Sequence, residues 1–155
     1  MEALDETVWA VNPVNDSLLR LANYMMHFAQ DFFQNTGIHC ELDIPTNLPD
    51  LSLSAEYRFN LFLVVKESLH NVLKHSKANN VFLEMRTSPG QLHLTIADDG
   101  EGFVTGSVSR ESGLANLKTR VAGLSGKIDI TSVPGQGTSI HITSPLYQTA
   151  AEQSK

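Results

Sequence analysis

The order of hydrophobic periodicities constrains this chain more than any other feature. Segments with helical spacing alternate with segments of strand spacing, and most of the strands come in pairs joined by short turns. Val81 to Arg86 and Leu92 to Asp98 flank Ser88-Pro89-Gly90, while Lys127 to Val133 and Thr138 to Thr143 flank Pro134-Gly135-Gln136-Gly137. Turns this short join antiparallel neighbours. A doubly wound parallel sheet needs a long crossover after each strand, and the chain has too few of them. One further strand pattern stands alone, with Ile38, Cys40, Leu42 and Ile44 alternating with His39, Glu41 and Asp43.

Three segments carry apolar residues three and four apart, the period of an amphipathic helix. The first follows the cap cluster Asn15-Asp16-Ser17, runs through Leu18, Leu21, Ala22, Met25, Phe28, Ala29 and Phe32, and stops at Asn35-Thr36-Gly37. The second spans about Ser54 to Ser76 with Leu61, Phe62, Val65, Leu69, Val72 and Leu73 on its apolar side, after a loop from Pro45 to Leu53. The third carries Leu114, Leu117, Val121 and Leu124 and ends at Gly126. This order predicts an α/β (α+β) two-layer sandwich in which a mixed, largely antiparallel sheet is covered on one face by helices.

With 155 residues, 41% of them hydrophobic, the chain has material for one core and not for two. Eleven Lys and Arg against 17 Asp and Glu leave a net charge of -6, which offers no basic footprint for nucleic acid. Cys40 is the only cysteine, so an internal disulfide is excluded and the chain reads as cytoplasmic, although a longer parent protein would be free to carry a membrane anchor. No run approaches the roughly 18 apolar residues of a membrane span, and Met1 to Trp9 holds three acids where a secretory signal would carry positive charge.

Polar residues interrupt the pattern at four places. On the second helix Glu67, Asn71, Lys74 and His75 fall at i, i+4, i+7 and i+8 and share a face opposite the apolar stripe. A solvated helix face would look the same. The chemical alternative is an oxygen-ligand site for Mg²⁺ and phosphate, since that ion takes few protein ligands and completes its octahedron with water and phosphate. Asp98 is in phase with Leu92, Leu94 and Ile96, which puts a carboxylate on the buried side of a strand, and Gly100 and Gly102 follow it. That stretch is either a tight turn closed by an Asx hydrogen bond or a place where backbone approaches a ligand. Thr138 is in phase with Ile140 and Ile142, so its hydroxyl faces the same interior, after Gly135-Gln136-Gly137. Gly113 opens the third helix after a polar stretch, and the unsatisfied amides of a helix start suit an anion, Ser112 being the ordinary cap there.

Taken together these segments resemble the ATP-binding catalytic domain of sensor histidine kinases, in the superfamily shared with gyrase and MutL. Glu67-Ser68-Leu69-His70-Asn71-Val72-Leu73-Lys74-His75-Ser76 resembles the N box, and Asp98-Asp99-Gly100-Glu101-Gly102-Phe103 the G1 box. Gly113-Leu114-Ala115-Asn116-Leu117 with Arg120 resembles the G2 region, and Gly135-Gln136-Gly137-Thr138 the closing motif. The resemblance implies a Bergerat-type ATP-binding fold with ATP and Mg²⁺ as ligands. It implies that Asn71 holds the metal, that Glu67 lies by the metal and its water or assists deprotonation of the acceptor, and that Asp98 accepts from the adenine amino group. Lys74, His75, Gly100, Gly102, Gly113, Leu114 and Thr138 complete the implied nucleotide site.

The N-box form with Lys74-His75 is similar to the subfamily of nitrate-responsive sensors, and Leu4 to Pro13 resembles its junction after a dimerising hairpin that bears the phosphoacceptor histidine. The expected organisation is a linker over 1–13, the ATP-binding domain over 14–146 and a polar tail over 147–155. Implied partners are the dimerisation and phosphoacceptor domain of a homodimeric parent and a downstream response regulator, the isolated domain being monomeric. The residues from about Val104 to Ser112 have little apolar surface and read as a lid. His39, His93 and His141 fall out of phase with the apolar face, His27 belongs to a packing helix, and His70 flanks the metal face as bystander or lid contact. The alternative is a stand-alone regulatory module of the same fold, either an anti-sigma serine kinase or a protein that binds a partner without phosphorylating it. The Leu4 to Pro13 junction argues against the first, and the intact Asn71 and Asp98 against the second.

Overall fold

The computed structural model describes residues 9, 12, 14, 16–104 and 108–146, with backbone only at 75, 76 and 108–113. Helix α1 (Leu18–Phe33) leads to strand β1 (His39–Asp43). Helix α2 (Ala55–Asn71) continues as a π-helical turn over Val72–Ser76. Strands β2 (Asn80–Ser88) and β3 (Gln91–Asp98), helix α3 (Val108–Gly123), and strands β4 (Lys127–Val133) and β5 (Gly137–Pro145) follow. The strands form one sheet in the order β1-β2-β3-β5-β4. β1 runs parallel to β2, because α2 lies between them as a crossover, and every other pairing is antiparallel. The mixed two-layer architecture expected from the sequence is therefore the observed one.

Alternation in the strands sends Val81, Leu83 and Met85, Leu92, Leu94 and Ile96, and Ile140 and Ile142 to one face, where all are buried. The helices cover that face with Leu18, Leu21 and Met25, with Leu61, Phe62, Val65 and Leu69, and with Leu117, Val121 and Leu124. Ser17 caps α1 by accepting the Arg20 amide, and Ser54 caps α2 by accepting that of Tyr57. Helix α2 is the central one. Its buried residues include Val64, Ser68 and even Arg58, whose guanidinium donates to the carbonyls of Leu53 and Asn12. The Leu53 amide in turn donates to the Asp16 carbonyl at 2.6 Å, which ties the approach to α1 onto the approach to α2.

Two expectations need correction. Leu73 does not join the apolar side of the second helix and is 42% exposed, because the π turn winds more slowly than an α-helix and carries it outward. Phe32 packs half-buried against the core as its spacing implies, and Phe33 beside it is buried as well. Helix α3 begins at Val108, so Gly113 stands in its second turn and does not open it, and residues 108–112 of the expected lid are helical. The rest of that lid, 105–107, lies outside the described residues, as do most of the linker and the tail from 147. Cys40 is half-buried and free on edge strand β1, and burial raises its thiol pKa from 9.0 to about 11.

Candidate functional site

Antiparallel register brings the interrupting polar residues to one end of the sheet. Val81 at the start of β2 pairs with Asp98 at the end of β3, and Asp98 pairs with Thr138 at the start of β5. Asp98 and Thr138, expected on one face from separate strands, are thus direct cross-strand neighbours, and both are half-buried. Helix α2 arrives at the same end, since only residues 77–79 separate its π turn from β2. Lys77 adopts a left-handed conformation, φ 53°, to make that reversal.

Asp98 accepts the Gly100 amide at 2.8 Å, the local Asx bond that a turn would form. That bond orients the carboxylate without exhausting it, because two carboxylate oxygens offer about four acceptor positions. The glycines have a different task from the one their spacing suggests. At Gly102, φ 64°, the space a Cβ would take is filled by the Val133 carbonyl, and at Gly137, φ 85°, by the carbonyl of Asp98. In both places the close backbone approach is made by the protein itself. Gly135 donates its amide to Glu101 at 2.6 Å, so the β4–β5 turn is laced to the stretch after β3.

Two side chains that the sequence reading did not single out hold this end together. The Asp99 carboxylate accepts the amides of Asn79 and Asn80, each at 2.9 Å, and the Asn80 side-chain amide at 2.8 Å. These bonds, the Asn80 side chain first, pull its pKa below the ordinary carboxylate value. Ser132 accepts the Phe103 amide at 2.8 Å and shares a 2.8 Å hydrogen bond with the Thr138 hydroxyl. Asp99 breaks no apolar phase, so no periodicity signal marks it, whereas Ser132 is buried in phase with Ile128 and Ile130 and carries the same signal as Thr138.

On α2, Glu67 and Asn71 share a face and are both half-buried, but that face is not simply solvated. Arg120 of α3 donates from Nε to Glu67 Oε1 at 2.8 Å. Lys74 is exposed, and the π turn displaces it and the backbone of His75 from the alignment an unbroken α-helix would give. Leu114 is half-buried and packs against the core. Gly113 lies inside α3, where its amide belongs to the helix ladder, so the unsatisfied amides of a helix start fall instead at residues 108–111.

Among the described residues, no group of three or more His, Cys, Asp or Glu side chains could hold a metal ion. Asn71 with the adjacent Glu67 is nevertheless a fitting donor set for Mg²⁺, which leans on one or two protein oxygens and fills its shell with water and phosphate. Four of the histidines have other surroundings. His70 packs edge-on against Phe32 at 4.8 Å and, with His27, lines a groove of about 350 Å³ between α1 and α2. His93 and His141 lie half-buried on the sheet face opposite the helices, their rings 6.0 Å apart, each bonded to a neighbouring hydroxyl.

A helix-covered mixed sheet with polar groups gathered at one end, beside a helix that offers Glu and Asn, defines a class. The chain belongs to the histidine kinase-, DNA gyrase B- and HSP90-like ATPases, whose family model matches residues 57–148. Within that family its relatives are the ATP-binding catalytic domains of sensor histidine kinases. It is 35% identical over 107 residues to the sensor histidine kinase LiaS of Bacillus subtilis, covering 68% of this chain and 30% of that protein. It is 33% identical over 109 residues to the histidine-protein kinase/phosphatase UhpB of Salmonella typhimurium, covering 70% of this chain and 21% of the relative. The chain thus spans less than a third of the length of either. Among solved structures, the blue-light activated histidine kinase domain of Erythrobacter litoralis EL346 superimposes with a TM-score of 0.67 at 24% identity, over 81% of this chain and 65% of that one. The histidine kinase AdeS of Acinetobacter baumannii gives 0.68 at 15% identity, over 94% and 76%. These two likenesses speak for the fold alone. No helix among the described residues is long and apolar enough to cross a membrane.

Proposed function

We propose that this chain binds Mg-ATP and presents the γ-phosphate to a histidine on a separate dimerisation segment, as the catalytic domain of a cytoplasmic two-component kinase. The observation that carries the reading is the convergence of Asp98, Thr138 and the Glu67-Asn71 face of α2 on one end of the sheet. Asp98 accepts from the adenine amino group while its bond from Gly100 holds the carboxylate still, and Thr138, anchored by Ser132, supplies a second polar contact beside the base. Lys74 and the first-turn amides of α3 face the phosphates, and Asn71 holds the ion. The ion, when bound, neutralises phosphate charge, which is most of what phosphoryl transfer asks of a protein besides positioning. Glu67 orients a ligating water or takes the proton of the acceptor histidine. A homodimeric parent that passes the phosphoryl group to a response regulator follows from this reading, and the nitrate-sensor subfamily suggested by Lys74-His75 is a further part of it.

Calorimetry with a non-hydrolysable ATP analogue tests the proposal. Binding is expected with Mg²⁺ present, with a large loss in Asn71→Ala. A GTP analogue is expected to bind worse by about 2 to 5 kcal/mol, since it sets a carbonyl oxygen against the Asp98 carboxylate. Equal binding of both nucleotides, or an unaffected Asn71→Ala, would reject the site.

A further inference from the structure

The ion pair between Arg120 and Glu67 lies where the nucleotide reading has its metal, and it joins two rigid elements. Glu67 is flanked on α2 by the fully buried Val64, Val65, Ser68 and Leu69, and Arg120 on α3 by the buried Leu117 and Val121. The backbone at both ends is therefore fixed by the core, and the 2.8 Å contact spans the seam between the helices. The two side chains are 28% and 35% exposed, a setting in which an ion pair contributes little to stability. Stability is thus a poor account of a guanidinium committed to this carboxylate. Geometry is a better one. Glu67 precedes Asn71 by one helical turn, and a donor on Oε1 limits how the carboxylate can swing while leaving Oε2 outside that bond.

Resting on the Mg-ATP reading, we infer that Arg120 is a positioning residue: it acts through Glu67, aiming the carboxylate so that it can order the water shell of the ion held by Asn71. Partners that orient metal-site groups in this way change metal affinity by roughly 10- to 100-fold when removed. The arrangement also gives α3 a grip on the metal side of α2, so displacement of α3 is transmitted to Glu67 through one hydrogen bond. A direct contact from Arg120 to phosphate would be a different role. It would act without Glu67 and without the metal.

The test is a double-mutant cycle read on nucleotide affinity. Affinity of the chain for a non-hydrolysable ATP analogue is measured with Mg²⁺ and with EDTA, for the unchanged chain, Arg120→Ala, Arg120→Lys, Glu67→Gln and Glu67→Gln/Arg120→Ala, each checked for an intact thermal transition. The ratio of the two affinities is expected to fall roughly tenfold in Arg120→Ala with the EDTA value unchanged, to recover partly in Arg120→Lys, and to fall no further in the double variant than in Glu67→Gln. A drop in the EDTA value, or effects that add in the double variant, would make Arg120 a phosphate contact and overturn the inference. A melting temperature lowered with the ratio intact would reduce the pair to a structural one and also overturn it. Absence of any Mg²⁺-dependent affinity in the unchanged chain would instead reject the Mg-ATP reading itself.

Discussion

Gly137 shows how a single residue holds the candidate site in register. Its φ of 85° is left-handed, and a methyl group there would run into the carbonyl oxygen of Asp98 on the neighbouring strand. Because Asp98 and Thr138 are cross-strand partners, anything that pushes Gly137 away also separates the two side chains read as the adenine contact. Gly137→Ala is therefore expected to destabilise the chain by about 1–3 kcal/mol, the usual cost of a strained backbone position. It should also weaken analogue binding beyond what lost stability explains. Urea denaturation and calorimetry on the same variant measure both. The motif Gly135-Gln136-Gly137-Thr138 was legible in the sequence as a turn before a strand. Which glycine was indispensable was not, since that depends on a backbone contact with residue 98, far away in the chain.

At the scale of elements, the join between α2 and the sheet depends on Asp99. Its carboxylate collects amides from Asn79 and Asn80, the residues that carry the chain from the π turn into β2, and so clamps the helix bearing Glu67 and Asn71 against the end of β3. Those bonds favour the ionised form and lower its pKa below 3.8. The stability they supply is therefore complete above that value and is lost as pH falls through and below it. Asp99→Ala is expected to lower the urea midpoint at neutral pH, and the gap from the unchanged chain should narrow below pH 3.8. A gap that stays constant down to pH 2.5, on the order of one unit below that value, would show that the carboxylate's charge is not what clamps the join. The π turn belongs to this scale too. The spacing of Leu69, Val72 and Leu73 suits an unbroken α-helix, and only the need to turn into β2 widens the winding and exposes Leu73.

For the whole molecule, the positions of the histidines bear on where a phosphoryl group would go. His27 and His70 line the groove between α1 and α2, while His93 and His141 lie on the sheet face opposite the helices. His70, although it lies between Glu67 and Asn71 in sequence, packs its ring against Phe32 in that groove. Phosphoryl transfer needs the acceptor nitrogen in line with the γ-phosphate, so these side chains are expected to remain unphosphorylated when the chain is incubated with radiolabelled ATP. Adding a dimeric, histidine-bearing hairpin from a close relative is expected to produce acid-labile label on the hairpin. Label on His27 or His70 of this chain would overturn the reading.

The periodicities and turns of the sequence by themselves determined the mixed sheet, the helical layer and the grouping of Glu67 with Asn71, because these follow from spacing within a few residues. Tertiary structure decided everything that needs two distant segments at once. It paired Asp98 with Thr138, set Ser132 across from Thr138 and Asp99 across from Asn80, and brought Arg120 onto Glu67. The contacts of Asp99 and Arg120 leave no trace in hydrophobic spacing, since a charged residue on a polar phase is what solvent alone would also permit, whereas Ser132, in phase with Ile128 and Ile130, is marked by it. Glycines mark only that backbone is crowded. Whether the crowding comes from a ligand or from the chain's own carbonyls, as at Gly102 and Gly137, is set by which strands the fold places side by side.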